Sequence, residues 1–392
     1  MTEPASRFAE ELRRLRAERG LSYRALADLA TQGKSYIEDL EKGRRPPNAA
    51  VAANLDKALG AGGRLVATLR PPADEDTEAE LEALELTRRV TASDVSTETL
   101  DRLEQAADTM AMAYATIPPE QLFPRVRRHL DYVGTLVDAR KTLAQHQRLL
   151  VVGGWLALLR ATLHIDLRQA AAAQAYLDTA AGLAEQTGHA EIAAWCLETR
   201  AWDVLTMGDF RRALELSQHA QAIAPAGGSA IVQATAQEGR AWARLGDRKQ
   251  TGQALERVER MAEQRTPPDH PEHHYRYDRG KAHSYAATTL AWAGDPAAET
   301  VAREVIAELQ AEDARPRRIA SAQLDLSLAL LAGGKPDEAA DSAARAIASG
   351  RIVPSNWWRA AEVVTGVQRA GIAEGRDLRD LAEAHRPELS AD

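Results

Sequence analysis

The sequence is poor in cysteine and in aromatic residues, and it contains no long apolar run. Cys196 is the only cysteine among 392 residues, which excludes an internal disulfide and a cysteine-based zinc cluster. No uninterrupted apolar run approaches the ~18 residues that a membrane-spanning helix needs, so we expect no membrane contact. The first residues also lack the apolar segment and the small-residue cleavage site of a secretory signal. These absences predict a cytoplasmic protein.

Motifs of the common enzyme classes are also absent. The sequence has no GxSxG, P-loop or GxGxxG motif, and we find no paired-carboxylate signature and no nucleophile beside a base. His270, His273, His274 and His283 lie close together, but Pro271 interrupts their helical spacing and no HExxH motif supports a metal site. We therefore expect a polar loop that enters a long helix there. The sequence predicts no catalytic residue, no metal site and no cofactor, and a protein that is not an enzyme.

Charge is divided unevenly along the chain. Residues 1–70 carry 13 basic and 9 acidic side chains, whereas residues 71–392 carry 36 basic and 48 acidic ones. Pro71 and Pro72 disfavour helix continuation at the junction, and acidic residues without basic ones follow them. This pattern predicts a small basic domain, then a boundary at residues 71–80 that is either a solvated linker or the polar start of the next helix.

Apolar residues in the basic segment recur three and four positions apart, as on the buried face of a helix. The groups are Phe8, Leu12 and Leu15; Leu26, Leu29 and Ala30; Ile37 and Leu40; and Val51, Leu55 and Leu59. Gly20 and Gly43 are placed to end the first and third helices, and Ser22 can N-cap the second. Residues 1–70 are therefore predicted to form an all-α domain of five short helices.

The segment from Leu21 to Pro47 resembles the helix-turn-helix of the phage repressor/Cro (XRE) family and aligns with it without a gap. The matching residues are Gly20, Leu21, Leu26, Ala27, Ile37, Leu40, Glu41, Gly43, Arg44 and Arg45. Thr31 stands where the family's turn usually has Gly, and Tyr23 replaces a common Gln. Arg16 and Glu41 match family positions that form a buried ion pair between the first and third helices. The resemblance implies that the helix beginning near Gly33 enters the major groove of DNA.

The same resemblance implies which side chains meet double-stranded DNA. Lys34, Ser35 and Asp39 are placed to read bases, because lysine can donate to guanine O6 and N7 and a carboxylate can accept from cytosine N4. Ser22, Tyr23 and the arginines after the third helix are placed to hold phosphates. The complete predicted set is Ser22, Tyr23, Gln32, Lys34, Ser35, Tyr36, Asp39, Arg44 and Arg45. The alternative is a helix-turn-helix that has become a packing or dimerisation module.

The acidic part of the chain has a helical pattern with internal repeats. The segment from Arg200 to Gly228 resembles a tetratricopeptide repeat: Ala201, Ala213 and Ala220 are small, and Gly208 and Asp209 form its turn. Comparable turns occur at Arg168, Gly246, Gly294 and Gly334, at spacings of 38 to 48 residues. We predict at least five helical pairs over residues 150–350, a helical connector over 81–149 and capping helices over 351–392, the first N-capped by Ser355. The expected fold is an all-α solenoid.

Together, the two parts resemble the actinobacterial XRE-type transcriptional regulators that carry a tetratricopeptide-like C-terminal region. The resemblance implies a homodimeric, DNA-binding regulator. The layout also resembles that of peptide-sensing regulators of other bacteria, which clamp the peptide backbone with asparagines. Asparagine occurs here only at positions 48, 54 and 356, so a small-molecule effector or a protein partner in the solenoid groove is favoured over a peptide.

In such a solenoid the first helix of each pair faces the concave surface. Counting back from each turn places tryptophans beside cations there, which suits an anionic or amphipathic ligand. The predicted ligand-binding residues are Trp155, Trp195, Glu198, Trp202, Arg240, Arg244, Lys281 and Trp292. Two alternatives stay open: each tryptophan can fill a repeat core, or the solenoid can be a scaffold for a protein. A scaffold predicts a broad, open, polar face, whereas a sensor predicts an apolar-walled cavity.

Overall fold

In a computed structural model of the chain, all regular secondary structure among the described residues is helical. The described residues are 3–69, 75–90, 94–266, 268–311 and 315–387, and none of them lies in a β-strand. The chain divides into two compact units, residues 1–82 and residues 83–392, which we call the head unit and the body unit. The predicted all-α fold class is confirmed.

The head unit begins with five short helices, as predicted. They are α1 (Glu3–Glu18), α2 (Tyr23–Leu29), α3 (Lys34–Glu41), α4 (Ala49–Leu59) and α5 (Arg64–Thr68). The predicted apolar groups form one core in which Phe8, Leu12, Leu26 and Ile37 are fully buried. Gly20 has a left-handed φ of 62° after α1, where a side chain would be strained.

Leu29 is an exception to the predicted core, since 58% of its surface is exposed. Helix α2 has only seven residues and packs through Leu26, Ala27 and Ala30, all of which belong to the head core. Leu29 lies on the flank of that stripe and faces away from the core. The prediction that Leu29 is buried is therefore wrong.

The acidic run after the head core is helical where it is described. Helix α6 covers Glu75–Val90, and the division between the two units falls within it. The first part of the predicted linker, residues 71–74, lies outside the described residues. From residue 75 onward the second interpretation applies, since the run is the polar start of a helix. The remaining domain boundaries stay predictions.

The body unit continues with paired antiparallel helices. The helices are α7 (Thr97–Ala113), α8 (Pro119–Val137), α9 (Leu143–Asp166), α10 (Ala170–Thr187), α11 (Ala190–Thr206), α12 (Phe210–Ile223), α13 (Ser229–Leu245), α14 (Arg248–Glu263), α15 (Arg279–Ala293), α16 (Ala298–Ala311), α17 (Pro316–Ala332), α18 (Pro336–Ala348), α19 (Trp357–Ala370) and α20 (Glu374–Ala384). From α9 to α20 each odd-numbered helix packs on the next helix and on the following odd-numbered one. This is a helical-repeat domain, as predicted.

The turn inside each predicted repeat lies where the sequence pattern places it. Gly208 separates α11 from α12 with a left-handed φ of 87°. Arg168 adopts the same conformation between α9 and α10, with a φ of 61°, although it has a side chain. Small residues on the facing helices, such as the fully buried Ala201 and Ala213, let the paired helices approach closely.

Helix α9 is the core helix at the start of the repeats. It is long and apolar enough to cross a membrane by composition alone, but 78% of its most apolar window is buried inside the body unit. Gly153 and Gly154 let neighbouring side chains approach its backbone, and a Cβ at Gly154 would lie 3.2 Å from Ile192 Cδ1. The apolar surface of α9 is therefore satisfied by packing within the protein.

The C-terminal helices return to α9. Ser355, predicted to N-cap the first capping helix after the repeats, instead lies inside a short 3-10 helix (Pro354–Asn356), and Asn356 precedes α19. The N-cap prediction for Ser355 is thus wrong. Its hydroxyl donates to Asp166 Oδ1 on α9 at 3.1 Å, and Arg168 donates to its carbonyl oxygen at 3.1 Å. The repeats therefore curl far enough to bring the 3-10 helix before α19 into contact with α9.

Candidate functional site

Two parts of the chain present candidate sites, and the first is the surface around α2 and α3. Ser22 Oγ accepts a hydrogen bond from the Ala25 amide at 3.2 Å and starts α2. Helix α3 begins at Lys34 after Gly33, whose extended backbone precedes the first turn. Thr31, in the connection between them, has a φ of 54°, a left-handed conformation that glycine adopts more readily than threonine.

The predicted DNA-contacting residues lie on this surface with different degrees of exposure. Ser22, Lys34, Ser35, Arg44 and Arg45 are exposed, whereas Tyr23, Gln32, Tyr36 and Asp39 are partly buried. Arg44 lies 3.6 Å from Asp39, with Nη1 facing Oδ1, and the Arg45 guanidinium lies 4.8 Å from the centre of the Tyr36 ring. The exposed residue Lys34 stands at the start of α3.

Tyr23 takes part in the ion pair that ties α1 to α3. Arg16 donates to both carboxylate oxygens of Glu41 at 2.7 Å, and the Tyr23 hydroxyl donates to Glu41 Oε1 at 3.0 Å. Glu41 is only 2% exposed, and despite the cost of its burial these donors lower the pKa of its carboxyl. The geometry agrees with the family positions of Arg16 and Glu41. The Tyr23 hydroxyl is therefore engaged inside the head, and its predicted phosphate contact stays a prediction.

The second candidate site is a partly open cavity of about 220 Å³ inside the body unit. Its walls come mainly from α11, α13, α15 and α17, which are first helices of their pairs. The residues that line it include Tyr114, Thr162, Trp195, Glu198, Trp202, Gln233, Arg240, Glu272, His274, Lys281, Tyr285, Arg317, Arg318, Ser321, Asp325, Asn356 and Arg359. Five of the eight predicted ligand residues belong to this wall: Trp195, Glu198, Trp202, Arg240 and Lys281.

The other three predicted ligand residues lie outside the cavity wall. Trp155 packs against Tyr275, with 5.1 Å between ring centres. Arg244 makes two hydrogen bonds of 2.7 and 2.8 Å to Glu362 and stacks on Trp292 at 4.4 Å. Trp155 thus packs α9 against the loop before α15, and Arg244 joins α13 to α15 and α19.

The histidine-rich segment crosses the concave side of the repeats. Residues 268–278 form a loop before α15, as expected from the sequence. The His274 amide donates to the Ala111 carbonyl at 3.1 Å, and the His273 ring lies 3.1 Å from Asp108 Oδ1, so the loop is tied to α7. The Tyr275 ring meets Trp195 edge-on at 5.2 Å between ring centres. This loop narrows the groove into a cavity.

Burial changes the protonation of several groups in the cavity wall. Burial raises the pKa of Glu198 to about 7, although the Gln233 amide, 3.0 Å away, and the charge of Arg240 lower it. Burial likewise lowers the pKa of Lys281 to about 7, and its ammonium donates to the carbonyl oxygens of His273 and His274. The pKa of His274 lies well below its usual range because the ring is buried. Both Glu198 and Lys281 therefore change charge near neutral pH.

Several wall residues escaped the sequence reasoning. Gln233 and Ser321 lie thirteen residues before a turn glycine, the position that Trp195 and Lys281 also occupy, so the projected register could have found them. His274 comes from the crossing loop, which has no periodicity to read. Among the described residues, no group of three or more His, Cys, Asp or Glu side chains is arranged to hold a metal ion.

Comparison with known proteins identifies the domain that carries the first candidate site, the surface around α2 and α3. Residues 7–69 match the family model described as a helix-turn-helix domain. The head unit contains a helix-turn-helix domain. The match extends from α1 to the residue after α5, so all five short helices of the head belong to this helix-turn-helix domain. No curated protein matches the chain.

Two solved structures similar to the chain contain bacterial proteins. PlcR from Bacillus thuringiensis, solved in complex with the peptide PapR7 and DNA, is 10% identical, with 97% of this chain and 96% of that one covered and a TM-score of 0.24. The apo form of the competence regulator ComR from Streptococcus vestibularis is 11% identical, with 94% and 100% covered and a TM-score of 0.29. The family match is thus what identifies the helix-turn-helix domain.

Proposed function

We propose that the chain is a sequence-specific DNA-binding transcriptional regulator whose helical-repeat body senses a small molecule. The observation that carries the DNA-binding part is the exposed first turn of α3, which presents Lys34 and Ser35 beside the basic residues Arg44 and Arg45 in a helix-turn-helix domain. In such domains the first residues of this helix contact base edges in the major groove. The regulator resembles XRE-type regulators of actinobacteria with a tetratricopeptide-like region.

The predicted contacts divide into two kinds. Lys34, Ser35 and Asp39 read base edges, and Lys34 pairs with guanine. Ser22 at the start of α2 and the two arginines after α3 hold phosphates. Arg44 leaves its weak surface pair with Asp39 when a phosphate is available, because an exposed ion pair contributes only about 0–1 kcal/mol.

The cavity supports the sensing part of the proposal. Its volume of about 220 Å³ lies below the range of roughly 300–1,000 Å³ typical of pockets for drug-sized ligands, so it suits a small metabolite. Its wall joins aromatic rings to charged groups from four consecutive helical pairs. A ligand there bridges repeats and changes the curvature of the body. It alters DNA affinity if it binds the DNA-competent and DNA-incompetent arrangements of the dimer with different affinity.

The regulator acts as a cytoplasmic homodimer without enzymatic activity. Operators of helix-turn-helix proteins commonly consist of two half-sites about 34 Å apart or a multiple of that distance, and two heads are needed to occupy them. The body supplies most of the dimer contact, because a domain as small as the head buries little surface against a partner. Multi-angle light scattering tests this, and a full-length monomer at micromolar concentration contradicts it.

The second candidate function is an interaction scaffold whose groove recruits a protein. It predicts a broad, open, polar concave face. The crossing loop, residues 268–278, is the observation that counts against it, because that loop covers part of the face. The scaffold is favoured if the body captures a partner protein and the head shows no preference for any DNA sequence.

The deciding experiment is selection of bound DNA from a random library with the full-length protein. An enriched motif with two half-sites is expected. Lys34→Ala then changes the preferred base at one position of each half-site. Lys57→Ala, a change of an exposed lysine on α4, is the matched control and leaves the motif unchanged. A library without enrichment overturns sequence-specific binding.

A further inference from the structure

Four buried polar atoms of the cavity wall lack a hydrogen-bond partner among the described residues: Arg240 Nε, Arg359 Nε, Arg318 Nη1 and Glu272 Oε2. Most buried polar atoms in folded proteins are hydrogen-bonded, so each of these atoms calls for an explanation. A ligand that supplies both an acceptor and a donor satisfies Arg318 Nη1 and Glu272 Oε2 together.

The other cations of the wall are committed to groups of the protein. Arg359 pairs with Asp325, which also accepts from the Thr288 hydroxyl at 2.7 Å. Arg317 pairs with Asp166 and donates to the Tyr114 carbonyl at 2.9 Å. Arg240 donates to Gln237 Oε1 and stacks on the Tyr285 ring. Among the described arginines of the wall, Arg318 is therefore the one whose side chain makes neither a hydrogen bond nor an ion pair within the protein, and it is free to hold an anionic group.

Arg318 and Glu272 are close enough to influence each other without forming an ion pair. Burial lowers the pKa of Arg318, and the negative charges of Asp278 and Glu272 act against that change. Glu272 already holds Arg315 through Oε1, which leaves Oε2 for another cation. Both residues line the same cavity.

The remaining wall is aromatic. Trp195, Trp202 and Tyr285 line the same cavity, and the Arg240 guanidinium lies 4.4 Å from the centre of the Tyr285 ring. A cavity of about 150 Å³ holds one benzene molecule. The present volume of about 220 Å³ therefore accommodates one ring together with a short polar group.

We infer that the cavity binds a free aromatic α-amino acid or a close analogue, with its carboxylate on Arg318, its ammonium on Glu272 and its ring against Trp195 and Trp202. Charge-assisted hydrogen bonds to both ends orient the zwitterion, and the aromatic wall selects the flat side chain. The inference names the ligand class of the sensing site and rests on that part of the proposed function.

Three probes test the charges separately on the full-length protein. L-phenylalanine carries both charges, 3-phenylpropanoate lacks the ammonium, and 2-phenylethylamine lacks the carboxylate. Isothermal titration calorimetry is expected to give at least tenfold tighter binding of L-phenylalanine than of either analogue. Equal affinity for L-phenylalanine and one analogue, or no binding of L-phenylalanine at millimolar concentration, overturns the inference.

Two variants assign the ends of the ligand. Arg318→Gln is expected to weaken L-phenylalanine binding at least tenfold and to leave 2-phenylethylamine binding unchanged, and Glu272→Gln is expected to do the reverse with 3-phenylpropanoate as the unchanged probe. Arg279→Gln and Glu263→Gln alter an exposed pair 3.9 Å apart outside the cavity wall and serve as controls. If a cavity variant fails to fold by circular dichroism, the three probes on the parent protein decide by themselves.

A parallel measurement separates this inference from the proposed function. The affinity for selected DNA is measured with and without L-phenylalanine. Binding of the amino acid without any change in DNA affinity keeps the site and overturns sensing. A change of DNA affinity caused by another metabolite, with no binding of L-phenylalanine, overturns the amino-acid site and keeps the proposed function.

Discussion

Ser355 donates a hydrogen bond to Asp166 across 189 residues of chain, with 3.1 Å between Oγ and Oδ1. The other carboxylate oxygen of Asp166 accepts from the Tyr114 hydroxyl at 2.9 Å and from Arg317. One fully buried carboxylate thus joins the end of α9 to the region after α7, to α17 and to the 3-10 helix before α19. The contact holds α9 and the 3-10 helix before α19 together beside the cavity.

Asp166→Ala is expected to destabilise the body by about 3 kcal/mol or more, because it leaves the Arg317 guanidinium without its buried partner. Ser355→Ala removes one donor from the same carboxylate, which keeps Arg317 and Tyr114, and is expected to cost only about 1.5 kcal/mol. Urea unfolding of the full-length protein, followed by circular dichroism, measures both. Equal losses for the two variants contradict the central role of Asp166.

Glu198 makes stability depend on pH in a defined direction. Its carboxyl has an ordinary pKa of 4.5 and a pKa of about 7 in the folded protein, so the folded state holds a proton that the unfolded state releases between these values. The contribution of Glu198 to the free energy of unfolding is therefore fully present below about pH 4.5 and is lost as the pH rises through 7.

Glu198→Gln removes this dependence and keeps a carbonyl oxygen for the Gln233 amide. Relative to the variant, the parent protein is expected to lose about 2 kcal/mol between pH 5 and pH 8. Lys281 has the opposite effect on stability, because its lowered pKa costs stability as the pH falls through about 7. This effect is the same in the parent and the variant, so it cancels in the comparison. Urea unfolding at both pH values measures the difference, and parallel curves for the two proteins contradict the assignment.

Thr31 and Gly20 test the backbone of the helix-turn-helix domain with opposite signs. Thr31 has a φ of 54° and Gly20 a φ of 62°. Thr31→Gly is expected to stabilise the head by up to about 1 kcal/mol by removing left-handed strain, and Gly20→Ala to destabilise it by about 1 kcal/mol. An added Cβ at Gly20 meets no atom within 4 Å, so the cost there arises from the backbone alone. Hydrogen exchange of the head amides measures both changes, and the same sign for both is the contradicting result.

Asp39 and Arg44 are expected to differ in their effects on DNA binding, although they lie 3.6 Å apart. Asp39→Asn changes base discrimination at one position by about 1–3 kcal/mol. Arg44→Ala weakens binding to all sequences and lowers the slope of log affinity against log salt by about 1, because one phosphate contact and its counterion release are lost. Fluorescence anisotropy over a salt series separates the effects. A uniform loss for Asp39→Asn contradicts its role as a base reader.

Features that depend on neighbouring residues in the chain were predictable from the sequence. Phe8 and Leu12 lie one helical turn apart, so their common burial follows from the repeat of the α-helix. Gly208 marks a turn because few other residues tolerate its φ, and the position of Trp195 and Glu198 on the concave side follows by counting from that turn. Arg16 and Glu41 were found through the family resemblance, since their 25-residue separation carries no periodicity of its own.

Only the tertiary structure decided which groups meet inside the body. Leu29 satisfies the helical spacing but lies outside the core, because a seven-residue helix buries only a narrow stripe. Counting back from the turn at Gly246 places Arg244 on the concave side, yet its guanidinium bonds to Glu362, 118 residues away. His274 enters the cavity on an irregular loop, and the contact of Ser355 with Asp166 depends on the small rotations of every repeat between them. Such sums of many small angles are set by packing along the whole solenoid, and no local stretch of sequence specifies them.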